Sequence, residues 1–588
     1  MEDKFNPKSL SINQLFCDAD AFYQVPIYQR PYKWEDEHID KLWDDIYTSF
    51  LNDDTNYFLG SIITAKPLST VSYMDLVDGQ QRITTLMILF CVIRDLYPKI
   101  NNHTDDDPTN IDIDTIKDAI QQKGKVKRLK LHTHDQHHTD FQNTIIDGNT
   151  TGFTKPSKPD VRKDEEPIYK FENTAFLFTE KCKDIGEKKC GEFINYLFNK
   201  VKIIRIDCST TEFAIKLFQV LNDRGLDLTA ADLVKSYLLE KIQKEFNSDP
   251  DILKKKEGAF VSDWREIEQY AKDSYDNLNN ILTMYEYYLL AQNPRKSLFE
   301  ELQIDFKMKK PLDVISDFKA FVKAYKKEIY DVTNDKILFS FWYLPWTVYW
   351  RSILTTAIHR KYKDLKKLKK VLRRFYFLYW VAGRTLSAVK QTSFNVIKWL
   401  KENKDITEIE KEINNKIKED DIVNSALNNL SKDISFYSWC KPLLALLEYN
   451  SADDSKISFI ELNRDVHLEH ILPHEYKKFP EWDYIKDDIA LKWMEKPGNL
   501  TLLSGSKNIE ASNNPFKTKI KVYKGKGKYD DKNQKITAFN ITQNIVKDFE
   551  DKKYSGKWIE ESMKDRHNWF CNEVGEILEI NTKALKIK

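Results

Sequence analysis

Apolar positions in the first 240 residues follow two different periods. YFLGSIITAK (57–66) and VSYMDLV (71–77) gather aromatic and branched residues between turn formers, which predicts strands. Directly afterwards Ile83, Leu86, Met87, Phe90 and Ile93 recur at helical spacing, predicting a helix over 81–97 with one buried face. From about 241 to 455 the period is helical almost throughout, with long amphipathic runs such as DLKKLKKVLRRFYFLYWVAGR (364–384). The aromatic residues of this region read as core and its lysines and arginines as solvated face. Past YNSADDSKIS (449–458), a candidate hinge, strand-like segments return. There PGNLTLLSGSKNIEASNNPFKTK (497–519) predicts a strand, a polar turn and a helix. Two polar stretches, 101–110 and 147–167, read as insertions or mobile loops. Together these changes of period predict a multidomain α+β chain with domains at 1–240, 241–455 and 456–588, the middle one all-α.

Length and charge narrow the function classes. A chain of 588 residues is too long for one core. Its 92 Lys and Arg balance 91 Asp and Glu, leaving a net charge of +1. That excludes the overall positive field of a protein that coats nucleic acid, so any DNA contact must be local. Seven cysteines without a C-x-x-C pair suit a reducing compartment and supply neither a disulfide framework nor a cysteine zinc site. MEDKFNPKSL lacks the basic and apolar regions of an export signal, and FSFWYLPWTVYW (339–350) is far short of the roughly 20 residues that cross a bilayer. The expectation is a cytoplasmic protein with no membrane partner.

VDGQQRITTL (77–86) places a strand-to-helix turn at Asp78, Gly79, Gln80, Gln81 and Arg82. Such a turn offers unpaired backbone N–H groups and the positive end of a helix dipole, a natural seat for phosphate. Gly79 permits close approach, the two glutamines bring amides, and Arg82 has the fork for a phosphate oxygen pair. Asp78 is a candidate helix cap or, with a divalent ion, a phosphate holder. The bland alternative, a capped helix with a surface arginine, has equal weight on these residues alone. VPIYQRPYKW (25–34) adds Tyr28, Arg30, Tyr32 and Trp34, offering aromatic faces and a second guanidinium. In LNDRGLDLTAADL (221–233) one helix ends near Gly225, and Thr229 with Asp232 forms a capping box for the next.

IYQRPYKW, YFLGSI, DGQQR and LNDRGLDLTAADL, in this order, resemble the N-terminal domain of the GmrSD-type modification-dependent restriction endonucleases and their relatives in phage defence. That resemblance implies a ParB/sulfiredoxin-like α/β fold. It also implies a nucleotide-binding, often nucleotide-hydrolysing module in which Asp78 to Arg82 hold the phosphates. Arg30 and Arg224 fall in other blocks of the family pattern and are expected near the pocket. The choice among GTP, ATP and UTP stays open.

Toward the C-terminus VHLEHILPH (466–474) brings His467, Glu469, His470 and His474 together. Zinc is the first ligand to test, but the stretch has no cysteine and no H-E-x-x-H arrangement. Phosphodiester hydrolysis explains the residue types better, since it needs a base for the attacking water and a cation for the developing charge. His470 suits the base, with an ordinary pKa near 6.5. Glu469, on the other side of a strand, and Asn508, on the following helix, suit magnesium or manganese. Asn499 is placed to orient the His470 ring by hydrogen bonding. In isolation, a histidine beside a glutamate is more often structural.

HLEHILP, GNLTLL and SGSKNIEASNNPFKTK resemble the HNH (His-Me finger) nuclease domain at the C-terminus of the same family, a ββα-metal fold. The resemblance implies His470 as base, Asn499 as its support and Asn508 as metal ligand, with Glu469 where many relatives have aspartate. His467, Asn513, Phe516 and Lys519 also match. KTKIKVYKGKGKYDDKNQK (517–535) is a solvated loop or a phosphate-backbone contact. The combined expectation is a nucleotide-regulated, metal-dependent endonuclease on double-stranded DNA, phage or modified, with a homo-oligomer allowed. Two rivals are a non-catalytic nucleotide-switched DNA-binding regulator and a phosphotransferase.

Overall fold

The computed structural model describes residues 5–26, 29, 31–66, 73–101, 110–122, 126–131, 135–156, 167–221, 229–451, 458–463, 465–524 and 539–587. Its contacts form two compact units: Met1–Ser262 with Phe306–Leu312, and Asp263–Asp305 with Asp313–Lys588.

The first unit is built on a six-stranded mixed sheet of β1 (Phe5–Ser11), β2 (Tyr23–Val25), β3 (Tyr57–Ala65), β4 (Met74–Asp78), β5 (Leu129–Leu131) and β6 (Val201–Cys208), in the order β1-β6-β3-β4-β2-β5. β6 runs antiparallel to β1 and parallel to β3, and β3 is antiparallel to β4. Both predicted strands are present. β4 passes through Gly79 into α1 (Gln80–Leu96), in which every residue from Ile83 to Ile93 is buried. Sequence spacing implied one buried face; instead α2 (Ile113–Ile120) and α3 (Pro167–Ile185) also pack on this helix. Each fully buried leucine or isoleucine there contributes about 1.5–3 kcal/mol. The stretch at 147–167 also departs from expectation at its start. Thr150 is buried, and its N–H and Oγ1 donate to Asp95 Oδ2 at 2.9 and 2.8 Å. Residues 102–109 and 157–166 of the two polar stretches lie outside the described residues. Thr229 starts α4 (Ala230–Phe246) with the predicted capping box: Thr229 Oγ1 accepts from Asp232 N at 3.2 Å, and Asp232 Oδ2 accepts from Thr229 N at 2.9 Å.

The second unit is mostly helical. α5 (Leu365–Val381) turns Leu368, Leu372, Phe375, Tyr376 and Tyr379 into the core and leaves Lys366, Lys367 and Lys370 exposed, as amphipathic spacing dictates. α6 (Cys440–Ser451) leads toward an antiparallel pair, β7 (Val466–His470) and β8 (Leu500–Ser504), in register from Val466↔Ser504 to His470↔Leu500. α7 (Gly505–Ala511), α8 (Phe516–Tyr523), α9 (Asn540–Glu550) and α10 (Glu560–Leu578) follow. Glu448 of α6 caps α9, accepting from Asn540 N at 2.8 Å and Ile541 N at 2.9 Å. At Gly498, just before β8, a Cβ would lie 2.1 Å from Met563 O of α10, so the backbones meet there without a side chain. The hinge residues 452–457 lie outside the described residues. Among the described residues no helix is long and apolar enough to cross a membrane.

Candidate functional site

Neighbouring residues on a strand face opposite ways, and β7 uses this to separate two chemistries. Glu469 points inward and is 3 % exposed. Its Oε1 accepts from Lys519 Nζ at 2.7 Å and Tyr523 OH at 2.8 Å, and its Oε2 accepts from Asn508 Nδ2 at 2.8 Å. Lys519, also fully buried, donates in addition to His470 O at 2.7 Å. α8 thus supplies the lysine and tyrosine, and α7 the amide. Burial lowers the Lys519 pKa, an effect that Glu469 opposes, while burial and then Glu469 hold the Tyr523 phenol well above its ordinary value. The expected metal ligands Glu469 and Asn508 are therefore brought together, with a lysine charge beside the carboxylate.

His470 faces the other way. Its Nε2 lies 2.9 Å from Glu495 Oε2, and His474 Nε2 lies 3.3 Å from Glu495 Oε1. The two imidazoles stand with centroids 4.5 Å apart, tilted by 59°. Ser435 Oγ donates to the same glutamate, fixing its orientation. Burial raises the Glu495 pKa, but the Ser435 and His470 hydrogen bonds and the histidines outweigh it and hold the carboxyl below its usual range. Burial lowers the His470 pKa, with Glu495 opposing in part, so the ring is neutral at neutral pH. A carboxylate only accepts, so a neutral His470 donates its Nε2–H to Glu495 and keeps Nδ1 as a proton acceptor.

Asn499 corrects the sequence reading. It is fully buried, and its Nδ2 donates to Leu472 O at 2.9 Å and Met494 O at 3.0 Å. Its Oδ1 accepts from Leu472 N at 2.7 Å and Trp558 Nε1 at 3.2 Å. With its amide committed to these groups, the bond to the imidazole comes from Glu495 instead. Asn499 acts on the ring through the chain, tying the segment after His470 to the one before Glu495. Among the other matched residues, Asn513 Nδ2 donates to Glu475 at 2.7 Å and Phe516 lies in the core. His467 pairs with Leu503 in the β7–β8 ladder.

At the N-terminal turn, Gly79 has φ +84°, and a Cβ there would lie 2.4 Å from Ile62 Cγ2. Gly79 itself occupies the cap position expected of Asp78, and no side chain caps the helix. Burial raises the Asp78 pKa, against the Gly79 N–H and Arg82. Gln81 accepts from Lys33 N at 2.8 Å and donates to Pro31 O at 3.1 Å, while Gln29 Nε2 donates to Val77 O at 2.7 Å. Arg82 Nη1 donates to Ser61 O at 3.0 Å beside Gly60. These side chains brace the turn. Gln80 is half-buried at the helix start. Tyr32 is likewise core, its hydroxyl bonded to Thr85 and Thr174 at 2.7 and 3.2 Å. Tyr28, Arg30 and Arg224 lie outside the described residues.

Glu495 and Ser435 are functional candidates that sequence reading missed. Glu495 sits in WMEKPGN, where nothing in residue type or spacing distinguishes it. The comparisons agree with the family to which both sequence resemblances point. Residues 12–239 match the family model described as GmrSD restriction endonuclease, N-terminal domain, and residues 415–573 match GmrSD restriction endonucleases, C-terminal domain. No curated protein matches the chain.

Proposed function

The chain belongs to the GmrSD restriction endonuclease family, and from that premise we propose that it is a metal-dependent DNA endonuclease of phage defence, regulated by a nucleoside triphosphate and discriminating modified from unmodified DNA. One observation carries the cutting role: the His470 ring, held by Glu495, ends a two-stranded ribbon whose next residue inward, Glu469, is joined to Asn508 of the following helix. Strand, strand and helix in this order support the ββα-metal reading.

The chemistry follows from the side chains. His470 Nδ1 takes a proton from the water that attacks phosphorus, and Glu495 stabilises the imidazolium that results. The carboxylate and amide oxygens of Glu469 and Asn508 are hard donors, and three of the carboxylate's roughly four acceptor positions are filled by Lys519, Tyr523 and Asn508. One acceptor position of the carboxylate stays open, and through it and the Asn508 amide oxygen the two residues would hold Mg2+ or Mn2+. When bound, the ion neutralises charge on the phosphate and the departing oxygen.

The nucleotide belongs at the start of α1. Since Gln81 and Arg82 brace the turn, the phosphates would meet the backbone N–H groups of the first helical turn beside Asp78, Gly79 and Gln80. Purified full-length protein should convert supercoiled plasmid to nicked or linear form only with Mg2+ or Mn2+. The yield should depend on GTP, ATP or UTP and differ among unmodified, glucosylated-hydroxymethylated and phosphorothioated DNA. Tight DNA binding without strand breaks under all these conditions would instead mark a regulator.

A further inference from the structure

We propose that His470, His474 and Glu495 form a second metal site, selective for a borderline transition ion such as Zn2+, whose occupation silences the catalytic base. The ligand atoms of the three residues all lie within 4.8 Å of one another. Two donors bound at about 2.1 Å to one tetrahedral zinc sit about 3.4 Å apart. The two histidines meet opposite oxygens of the same carboxylate, His470 Nε2 at 2.9 Å from Oε2 and His474 Nε2 at 3.3 Å from Oε1, so side-chain rotation within this cluster brings the three donors toward that spacing.

The environment supports coordination. The His474 side chain is 57 % exposed, which gives an entry path and leaves room for a solvent ligand in the fourth position. Glu495 is ionised and oriented by Ser435, the outer support typical of ligating carboxylates. Two imidazoles and one carboxylate prefer zinc to magnesium, whereas the oxygen donors of Glu469 and Asn508 prefer the reverse. The two sites therefore sort ions by ligand softness.

Silencing follows from the tautomer. A neutral imidazole carries one N–H; when zinc takes the Nε2 lone pair of His470, that proton resides on Nδ1. Nδ1 then has no lone pair for the attacking water's proton. This effect on cleavage rests on His470 being the base, but ion binding itself does not.

The test uses the full chain, freed of metal by a chelator, titrated with Zn2+ by calorimetry and with Co2+ by visible absorption. Wild type should bind one ion at this site and give tetrahedral cobalt bands. His474→Ala and Glu495→Gln should weaken binding by more than about 100-fold, since loss of even an outer partner costs about 10–100-fold. Glu469→Gln should retain the zinc affinity. Unchanged binding in His474→Ala, or loss in Glu469→Gln with an unaltered thermal melt, would overturn the site. In plasmid cleavage with Mg2+, Zn2+ should inhibit wild type, and the rate of His474→Ala, taken relative to its own zinc-free rate, should be at least about tenfold less sensitive to zinc. Equal inhibition of both would refute the silencing. If wild type cuts no DNA, the nuclease reading fails while the two titrations still decide the site.

Discussion

Held by a carboxylate twenty-five positions away, His470 depends on a partner that no local spacing announces. Glu495→Gln keeps the shape of the contact but removes the charge that stabilises the imidazolium. It should lower kcat on plasmid DNA by about 10-fold or more while leaving KM unchanged, because general-base assistance contributes about 10²–10⁴-fold. A rise in KM at constant kcat would show that Glu495 binds DNA rather than positioning the ring. On the inner side of the strand, Lys519 and Glu469 form a buried pair with side-chain exposures of 0 % and 4 %. Lys519→Met should destabilise the second unit by about 3–5 kcal/mol, as breaking one side of a buried pair does. Urea denaturation measures this, and a loss below about 1 kcal/mol would mean that the glutamate finds another donor or takes up a proton.

Elements were legible in the sequence where neighbours along the chain determine them. The capping box of Thr229 and Asp232, the strand–glycine–helix turn at Gly79 and the amphipathic helix at Leu365–Val381 all follow from local patterns. The enclosure of α1 did not, because the helices covering it come from distant segments whose packing leaves no mark on its own periodicity. The turn at Gly79 combines a left-handed backbone with contact against Ile62. Gly79→Ala should therefore destabilise the first unit by about 1–3 kcal/mol from backbone strain, with a further penalty from the clash. Chemical denaturation with stability unchanged would show that the turn relaxes without cost.

Across the whole molecule, the family and the main candidates for chemistry could be read from short motifs, because each motif is contiguous. What escaped was the wiring between segments: Glu469 to Lys519, His470 to Glu495, and Asn499 to the backbone on either side of the site. Apart from the short Asn499–Met494 bond, those bonds span 25 to 50 positions and depend on how β7, β8 and the helices after them pack. The proposed cutting residues all belong to one compact unit. In the proposed mechanism one imidazole removes the water proton there. Its most direct measurement is single-turnover plasmid cleavage by His470→Ala beside wild type, with DNA affinity and thermal stability recorded on the same preparations. Cleavage should fall by about 10²-fold or more with affinity and melting unchanged. Cleavage at the wild-type rate would show that His470 is not the base.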